Sequence, residues 1–256
     1  MNNGLRHLLQ RYFDWLYFAM RDERRLAQLS LVDFNPEAVL LDCGCREGAG
    51  SVAIAQKMGT RKIIGIDFNF NALSLAAKRN ILPLRANLNG CIPLANNTVD
   101  VILASDVLEH LVNPGVFVTE MYRVLKPAGY IILDTPNLAS WHNIFALLLG
   151  IQPFSGPNIT TMEDSDLELV RRMHRTTHGL PEQGEFTQHD QEELTRHIIV
   201  VAYVSLIRLL KRVGFMVAKA YGFGYYPLPV FLARLFQRID IRHTHHMLIR
   251  ATKPLK

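Results

Sequence analysis

The spacing of apolar residues changes twice in the first part of the chain. In residues 5–29, apolar residues recur at helical spacing between arginines and aspartates, which predicts an amphipathic helix. A short apolar run at residues 38–42 then ends in a carboxylate. A helical pattern through Met58 follows, and then a second apolar run at residues 62–67. This order predicts a β-α-β unit.

Strand and helix patterns continue to alternate beyond this unit. Strands are predicted near residues 82–86, 99–104 and 130–134, with helices near residues 71–80 and 114–125. After an irregular region, a helix is predicted at residues 191–213, followed by strands near residues 215–221 and 246–251. Such a succession is typical of a mainly parallel sheet covered on both faces. Ligands of such sheets bind beyond the carboxyl ends of the strands.

Composition narrows the class of protein. The 256 residues are 49% hydrophobic and 20% charged, as in an ordinary globular protein. The longest apolar stretch, residues 198–207, is shorter than the roughly 18 residues of a membrane span, and residues 1–10 lack a secretion signal. We therefore expect a cytoplasmic protein. Three cysteines are too few for a disulfide framework, and a charge of +5 does not indicate nucleic acid binding.

Glycines and carboxylates follow the first two predicted strands. Gly44 and Gly48 stand where the chain leaves the first strand and enters a helix, so its backbone can turn tightly and approach a ligand. Their spacing does not fit the G-x-G-x-x-G loop of a dinucleotide-binding oxidoreductase. Asp67 ends the second strand, where its carboxylate could accept hydrogen bonds from both ribose hydroxyls of an adenosyl group. The alternative is that Asp67 caps the next helix.

Further candidates stand at the ends of neighbouring strands. Phe68 is placed to lie against an adenine ring and is followed by Asn69, and Asn87 could bond the adenine edge. Asp106 follows the fourth strand and is placed near the methionine end of such a ligand.

Four sequence segments carry a family resemblance. Residues 39–48 (VLLDCGCREG), 64–67 (IGID), 100–110 (DVILASDVLEH) and 125–137 (LKPAGYIILDTPN) resemble the four ordered motifs of class I S-adenosylmethionine-dependent methyltransferases. The last two are similar to the type 11 and ubiquinone-biosynthesis-like branch. The resemblance implies a doubly wound α/β fold with seven strands in the order 3-2-1-4-5-7-6 and strand 7 antiparallel. An N-terminal helix and an insertion after strand 5 complete the expected fold.

The same resemblance implies S-adenosylmethionine as cofactor and S-adenosylhomocysteine as product. Arg46 departs from the family pattern because it occupies the position of the middle glycine. Its side chain must point away from the cofactor or contact the cofactor's carboxylate. The candidate cofactor-binding residues are Asp42, Gly44, Cys45, Gly48, Asp67, Phe68, Asn69, Asn87, Asp106 and Val107.

We expect one methyltransferase domain over residues 1–256. Its predicted parts are a helical cover at residues 1–30, a cofactor-binding core at 36–137, a substrate-side insertion at 139–190, and a final helix and strands at 191–256.

Three histidines are candidate general bases for methyl transfer to a hydroxyl group. His110 is the first, because it follows the fourth strand, although it could instead bond a backbone carbonyl. His142, after the fifth strand, and His197, at the start of the predicted last helix, are the others. No metal is expected at His243, His245 and His246, since the alternation of a strand would separate His245 from the other two and favours a solvated edge.

The acceptor is the least defined part of the prediction. Aromatic residues at 221–231, followed by Arg234, Arg238 and Arg242, suit a hydroxyl of a glycan, lipid-linked or quinone-like small molecule, although they could equally fill the core. Peripheral membrane contact is compatible with these residues, and a monomer or homodimer is expected. The main alternative is a non-catalytic cofactor- or partner-binding module of the same fold.

Overall fold

The computed structural model of the protein describes residues 3–150, 152–156 and 197–255. Seven strands form one sheet in the order β3-β2-β1-β4-β5-β7-β6, in which β7 runs antiparallel to both of its neighbours and the other pairs are parallel. This confirms the predicted fold class. The strands are β1 (Leu40–Cys43), β2 (Ile63–Asp67), β3 (Leu82–Arg85), β4 (Val99–Ser105), β5 (Leu125–Pro136), β6 (Met216–Phe223) and β7 (His246–Thr252).

Helices cover both faces of the sheet. A long helix precedes the first strand, as predicted, and none of the described helices is long and apolar enough to cross a membrane. Two short 3-10 turns, Leu108–His110 and Ile241–His243, follow β4 and precede β7. The helices of the described residues are α1 (Asn3–Ser30), α2 (Ala49–Met58), α3 (Phe70–Ala77), α4 (Pro114–Val124), α5 (Trp141–Leu148), α6 (Tyr203–Val213) and α7 (Val230–Ile239).

The central strands are apolar on both faces because each face packs on a separate core. Leu41 and Ile131 lie in one hydrophobic cluster, whereas Leu40 and Ile132, their neighbours in the chain, lie in the other. Alternation along a strand produces this division. The central strands are thereby held rigidly, and their carboxyl ends meet at one edge of the sheet.

The last predicted helix begins later than the sequence pattern indicated. Residues 197–202 precede α6 in a non-helical conformation, and the backbone N–H groups of Ile198 and Ile199 both donate to the carbonyl of Glu109, at 2.7 and 3.2 Å. This contact between distant segments replaces the helical pattern. Helix α7 was not predicted, and most of the insertion at residues 139–190 lies outside the described residues.

Candidate active site

The loop from Gly44 to Gly48 forms one side of the carboxyl edge. Both glycines have left-handed φ angles, 74° and 82°. A Cβ on Gly44 would stand 2.5 Å from Cγ2 of Val107, and one on Gly48 would meet the Ile81 side chain. Neither position therefore has room for a side chain.

Arg46 tolerates the glycine position by adopting a φ of 50°. Its side chain is about half exposed and lies 3.9 Å from the carboxylate of Glu47. Its backbone N–H points the other way and donates to Oδ2 of Asp67 at 2.9 Å. Arg46 thus keeps the backbone contact of the loop and directs its charge toward solvent.

Asp67 is held at the end of β2 by backbone donors. Besides the bond from Arg46, its Oδ1 accepts from the backbone N–H of Asn69 at 2.9 Å. Asn69, and not Asp67, caps α3, because its side chain accepts from the N–H of Ala72 at 3.0 Å. Each carboxylate oxygen has a further lone pair, so the fixed carboxylate could still accept bonds from a ligand.

Two other candidate cofactor residues lie beneath this loop. Asp42 is buried and accepts a hydrogen bond from the hydroxyl of Ser51 at 2.5 Å, and burial raises the pKa of Asp42 to about 7. Cys45 is buried against Gly65. A Cβ added to Gly65 would stand 2.7 Å from Sγ of Cys45. Both side chains support the loop from inside the protein.

Two further candidates lie on the outer side of β2 and β3. Phe68 is exposed over 55% of its surface. Asn87 is exposed and accepts a hydrogen bond from the backbone N–H of Asn89 at 2.9 Å. The structure thus leaves the Phe68 ring open to a ligand, while Asn87 already closes a local turn.

The other side of the carboxyl edge holds a cluster of ionisable side chains, which we call the carboxylate–histidine cluster. Its members come from six separate segments of the chain. They are Arg24, Asp106, Glu109, His110, Asp134, His142, His197, His245 and His246.

Arg24 joins helix α1 to this cluster. Its guanidinium donates to both carboxylate oxygens of Asp106, at 2.9 and 3.0 Å, and to Nδ1 of His246 at 2.7 Å. The same group lies 3.3 Å from the fully buried carboxylate of Asp134. One partly buried cation thus serves two carboxylates, and charge-assisted contacts of this kind are the stronger class of hydrogen bond.

Gln28, one helical turn further along α1, reinforces this attachment. Its amide donates to the hydroxyl of Ser105 and to Oδ2 of Asp134, the latter at 3.0 Å. The other oxygen of Asp134, Oδ1, is buried and forms no hydrogen bond within the described part of the chain. Helix α1 therefore covers the ends of β4 and β5 and leaves one buried acceptor atom beneath it.

Glu109 and His110 stand next to this attachment, on the 3-10 turn after β4. Glu109 is buried and accepts a hydrogen bond from the hydroxyl of Thr135 at 3.0 Å. Burial, and then the charge of Asp106, raises the pKa of Glu109 well above its usual value. The His110 ring lies edge-on to His197, with ring centroids 5.1 Å apart.

Ser155 connects His197 to a second group of histidines. Nδ1 of His197 lies 2.6 Å from the Ser155 carbonyl, to which it can donate, and Nε2 of His142 lies 3.4 Å from the Ser155 hydroxyl. Burial lowers the pKa of His142 to about 3. The ring of His245 lies 4.8 Å from that of His142, and burial lowers the pKa of His245 well below its usual value. These two imidazoles are neutral at physiological pH.

The structure brings together some of the predicted bases and separates others. His110 and His197 are neighbours, whereas His142 packs against His245. The expectation that His197 begins a helix is wrong, because its segment is tied to the Glu109 carbonyl. The expectation of a solvated histidine edge is also wrong for His246, which is buried beside Arg24.

Several cluster residues were missed by sequence reasoning. Arg24 carried a signal, because it follows the buried Met20 by four residues and so continues the inward face of α1. Glu109 stood beside a predicted base. Asp134 and His246 carried no local signal, since pairing of β5 with β7 brings them together.

Two triads of the cluster have ligand atoms within 4.8 Å of one another, a spacing that could hold a metal ion. In the triad of Asp106, Asp134 and His246, the Arg24 guanidinium already supplies the positive charge. The other triad consists of Glu109, His110 and His197.

The fold matches that of known methyltransferases. An S-adenosylmethionine-dependent methyltransferase from Mesorhizobium loti aligns over 89% of this chain and 96% of its own, with a TM-score of 0.57 and 15% identity. This likeness defines the fold as the Rossmann-like fold of class I methyltransferases.

Sequence comparison then shows which family the core resembles. Residues 41–133 match the family model described as a methyltransferase domain. A "Probable S-adenosylmethionine-dependent methyltransferase" of Mycolicibacterium smegmatis is 34% identical over 99 residues, which are 38% of each chain. A malonyl-[acyl-carrier protein] O-methyltransferase of Marinomonas sp. is 27% identical over 58% of this chain and 56% of its own. Residues 41–133 of this chain are thus similar to the class I S-adenosylmethionine-dependent methyltransferase domain of type 11, a family whose cofactor is S-adenosylmethionine.

The matched region is limited. The chain spans 38% of the length of the first of these curated relatives and 56% of the second.

Proposed function

We propose that this chain transfers a methyl group from S-adenosylmethionine to a small-molecule acceptor at the carboxyl edge of its sheet. One observation carries the proposal. A loop with two side-chain-free glycines and the fixed carboxylate of Asp67 stand on one side of this edge, and a carboxylate–histidine cluster stands on the other. A cofactor and an acceptor can therefore meet between them.

The glycine loop fits the proposed cofactor. The backbone at Gly44 and Gly48 can approach its methionine part, because no side chain fits at either position. Asp67 can accept hydrogen bonds from the ribose hydroxyls, and Phe68 offers an exposed ring to the adenine. When bound, S-adenosylmethionine supplies an electrophilic methyl group on a positively charged sulfur.

His110 is the best placed base for a hydroxyl acceptor. One ring nitrogen would take the hydroxyl proton while the acceptor oxygen forms its bond to the methyl carbon and the carbon–sulfur bond breaks. His142 suits this role less well, because a pKa of about 3 gives its imidazole little affinity for a proton. His197 would orient the His110 ring through their edge-on contact.

Positioning supplies much of the rate. Methyl transfer requires an in-line approach, and holding two reactants in register is worth about 7 to 11 kcal/mol. Arg24 and Gln28 would contribute by fixing α1 over the edge, which excludes water from the reacting atoms.

For the acceptor, we propose a hydroxyl of a glycan, lipid-linked or quinone-like compound. Aromatic rings surround the His142 side of the cluster, where Tyr226 and Phe154 lie 5.6 and 5.9 Å from the His142 ring. A carrier-bound acid, as in the Marinomonas relative, is a different acceptor class, so the assay should include both.

The test is a transfer assay with methyl-labelled S-adenosylmethionine and a panel of quinols, sugars, polyprenyl-linked glycans and carrier-bound acids. We expect labelled product from one acceptor class. His110→Ala should lower kcat about a hundredfold to ten-thousandfold and leave cofactor affinity unchanged. His243→Ala is the matched control, because His243 pairs with Asp240 outside the cluster.

Cofactor binding without transfer to any acceptor class would contradict the enzymatic proposal and favour a binding module. Full activity of His110→Ala would remove His110 from the mechanism.

A further inference from the structure

Helix α7 exposes apolar residues where a surface helix normally exposes polar ones. Val230 and Ala233 form the buried side of this helix. Phe231, Leu235 and Ile239 are exposed over 70%, 54% and 74% of their surfaces. Because they are spaced four residues apart, they form one outward stripe along the helix.

Arginines flank this stripe. Arg238 is exposed on the same helix, and exposed Arg242 follows it. Arg234 is exposed as well, but its guanidinium forms an ion pair with Glu23 of helix α1. The chain contains no acidic residue between Tyr221 and Ile239. The next carboxylate, Asp240, is bonded to the Tyr225 hydroxyl and the His243 ring, at 2.8 Å each. The surface is therefore both apolar and basic.

Helix α5 extends this surface. Phe145, Leu148 and Leu149 are exposed over 53%, 75% and 74% of their surfaces. The indole N–H of Trp141, at the start of α5, lies 2.5 Å from the Tyr225 hydroxyl, to which it donates. The Tyr225 ring in turn stacks on Phe236 of α7, with centroids 5.5 Å apart.

The two helices are thus connected. We call their exposed surface the apolar–basic face. It consists of Phe145, Leu148, Leu149, Phe231, Leu235, Ile239 and the arginines Arg238 and Arg242.

We propose that the apolar–basic face docks on the surface of an anionic lipid bilayer, with α7 and the end of α5 lying in the interface plane. Helices that bind there bury apolar side chains at the headgroup boundary and place basic side chains against anionic lipids. The residue pattern of α7 meets both requirements.

A second copy of the chain fits this face less well. Symmetric pairing would bring the same surface of two copies together. It would place Arg238 and Arg242 of both copies near each other, and neither forms an ion pair within the described part of the chain. An anionic bilayer instead supplies the missing negative charge.

Docking in this way has a consequence for the candidate active site. Trp141, at the base of the face, directly precedes His142 of the carboxylate–histidine cluster. The acceptor side of the sheet edge would then lie close to the membrane. That the acceptor is itself borne by the membrane rests on the proposed function, whereas docking does not.

The test is co-sedimentation of the full chain with vesicles. We expect binding to mixed phosphatidylcholine and phosphatidylglycerol vesicles, and weaker binding to phosphatidylcholine alone or at high salt. The variant Phe231→Ser/Leu235→Ser/Ile239→Ser should lower the partition coefficient at least about tenfold. Arg238→Gln should lower it about fivefold.

Phe34→Ser is the matched control. Phe34 is 75% exposed but precedes β1, at the opposite edge of the sheet, so this variant should bind vesicles like the wild type. The triple variant should keep its melting temperature and its affinity for S-adenosylmethionine, which separates failure of docking from failure of the proposed function.

Three results would overturn the proposal. The first is the absence of the expected vesicle binding: either the wild-type protein does not bind anionic vesicles, or the triple variant binds them as strongly as the wild type. Another is a dimer in size-exclusion chromatography that the triple variant abolishes, since a second copy would then cover the face. The third is vesicle binding that arises only after deletion of residues 157–196, because that segment would then be its occupant.

Discussion

The two sides of the carboxyl edge are built in different ways. The glycine-loop side uses residues 44–48 and Asp67, two short segments joined by α2, and its contacts are backbone N–H groups donating to a carboxylate. The carboxylate–histidine side uses side chains from Arg24 to His246, which are 222 residues apart. A site made from backbone is encoded locally, whereas a site made from side chains depends on the complete fold.

The two sides also differ in how they treat charge. On the glycine-loop side, Asp42 is buried beneath the loop, and burial raises its pKa to about 7. On the other side, burial lowers the pKa of His142 to about 3. Both groups prefer their neutral form in the folded protein, so they make opposite contributions to the pH dependence of stability.

The largest effect should come from Asp42→Asn. The folded pKa of Asp42, about 7, lies above its ordinary value of 3.8, so its contribution to stability is complete below about pH 4 and is lost as the pH rises to about 7. Relative to wild type, the variant should gain roughly 4 kcal/mol of unfolding free energy over this interval. Urea unfolding at a series of pH values measures the difference.

His142→Gln should give the opposite trend. The folded pKa of His142 lies below its ordinary value of 6.5, so its contribution is present above that pH and is lost as the pH falls toward 3. Relative to wild type, this variant should gain about 3 kcal/mol between pH 6.5 and pH 4. If the unfolding free energies of the two variants, relative to wild type, changed in the same direction with pH, the two sides of the edge would not differ in this way.

Asp67→Ala should weaken cofactor binding and leave the fold intact. Each charge-assisted bond to a ribose hydroxyl is worth about 1.5 to 3 kcal/mol, so the dissociation constant for S-adenosylmethionine should rise at least about tenfold. Calorimetric titration checks the affinity, and circular dichroism checks the fold. An unchanged affinity would remove Asp67 from the cofactor site.

The smallest expected effect is the difference in stability between alanine variants of Gly48 and Gly50. Gly48→Ala should cost at least about 1 to 2 kcal/mol of stability, because its φ of 82° disfavours a side chain and its Cβ would meet the Ile81 side chain. Gly50→Ala is the matched control: a Cβ there meets nothing within 4 Å, and alanine favours helix α2, so stability should rise by about 0.5 to 1 kcal/mol. Thermal unfolding of both variants checks the pair, and equal effects would contradict the assigned loop geometry.

Sequence reasoning was most successful where structure is local. The first two strands and the glycine loop followed from apolar runs that end in Asp42 and Asp67, because these signals lie within a few residues of the structure they specify. The strand order followed from the family resemblance instead. The pairing of residues 198–199 with Glu109 could not be predicted, since it joins segments about 90 residues apart. Helix α7 was missed although its apolar residues recur at helical spacing.

The most direct test of the central claim is calorimetric titration of the purified protein with S-adenosylmethionine and S-adenosylhomocysteine, with NAD as the control ligand. The glycine loop and Asp67 predict micromolar binding of the first two ligands and no binding of NAD. Absence of binding by both adenosyl ligands, or equal binding of NAD, would contradict the claim that this edge of the sheet is a methyltransferase cofactor site.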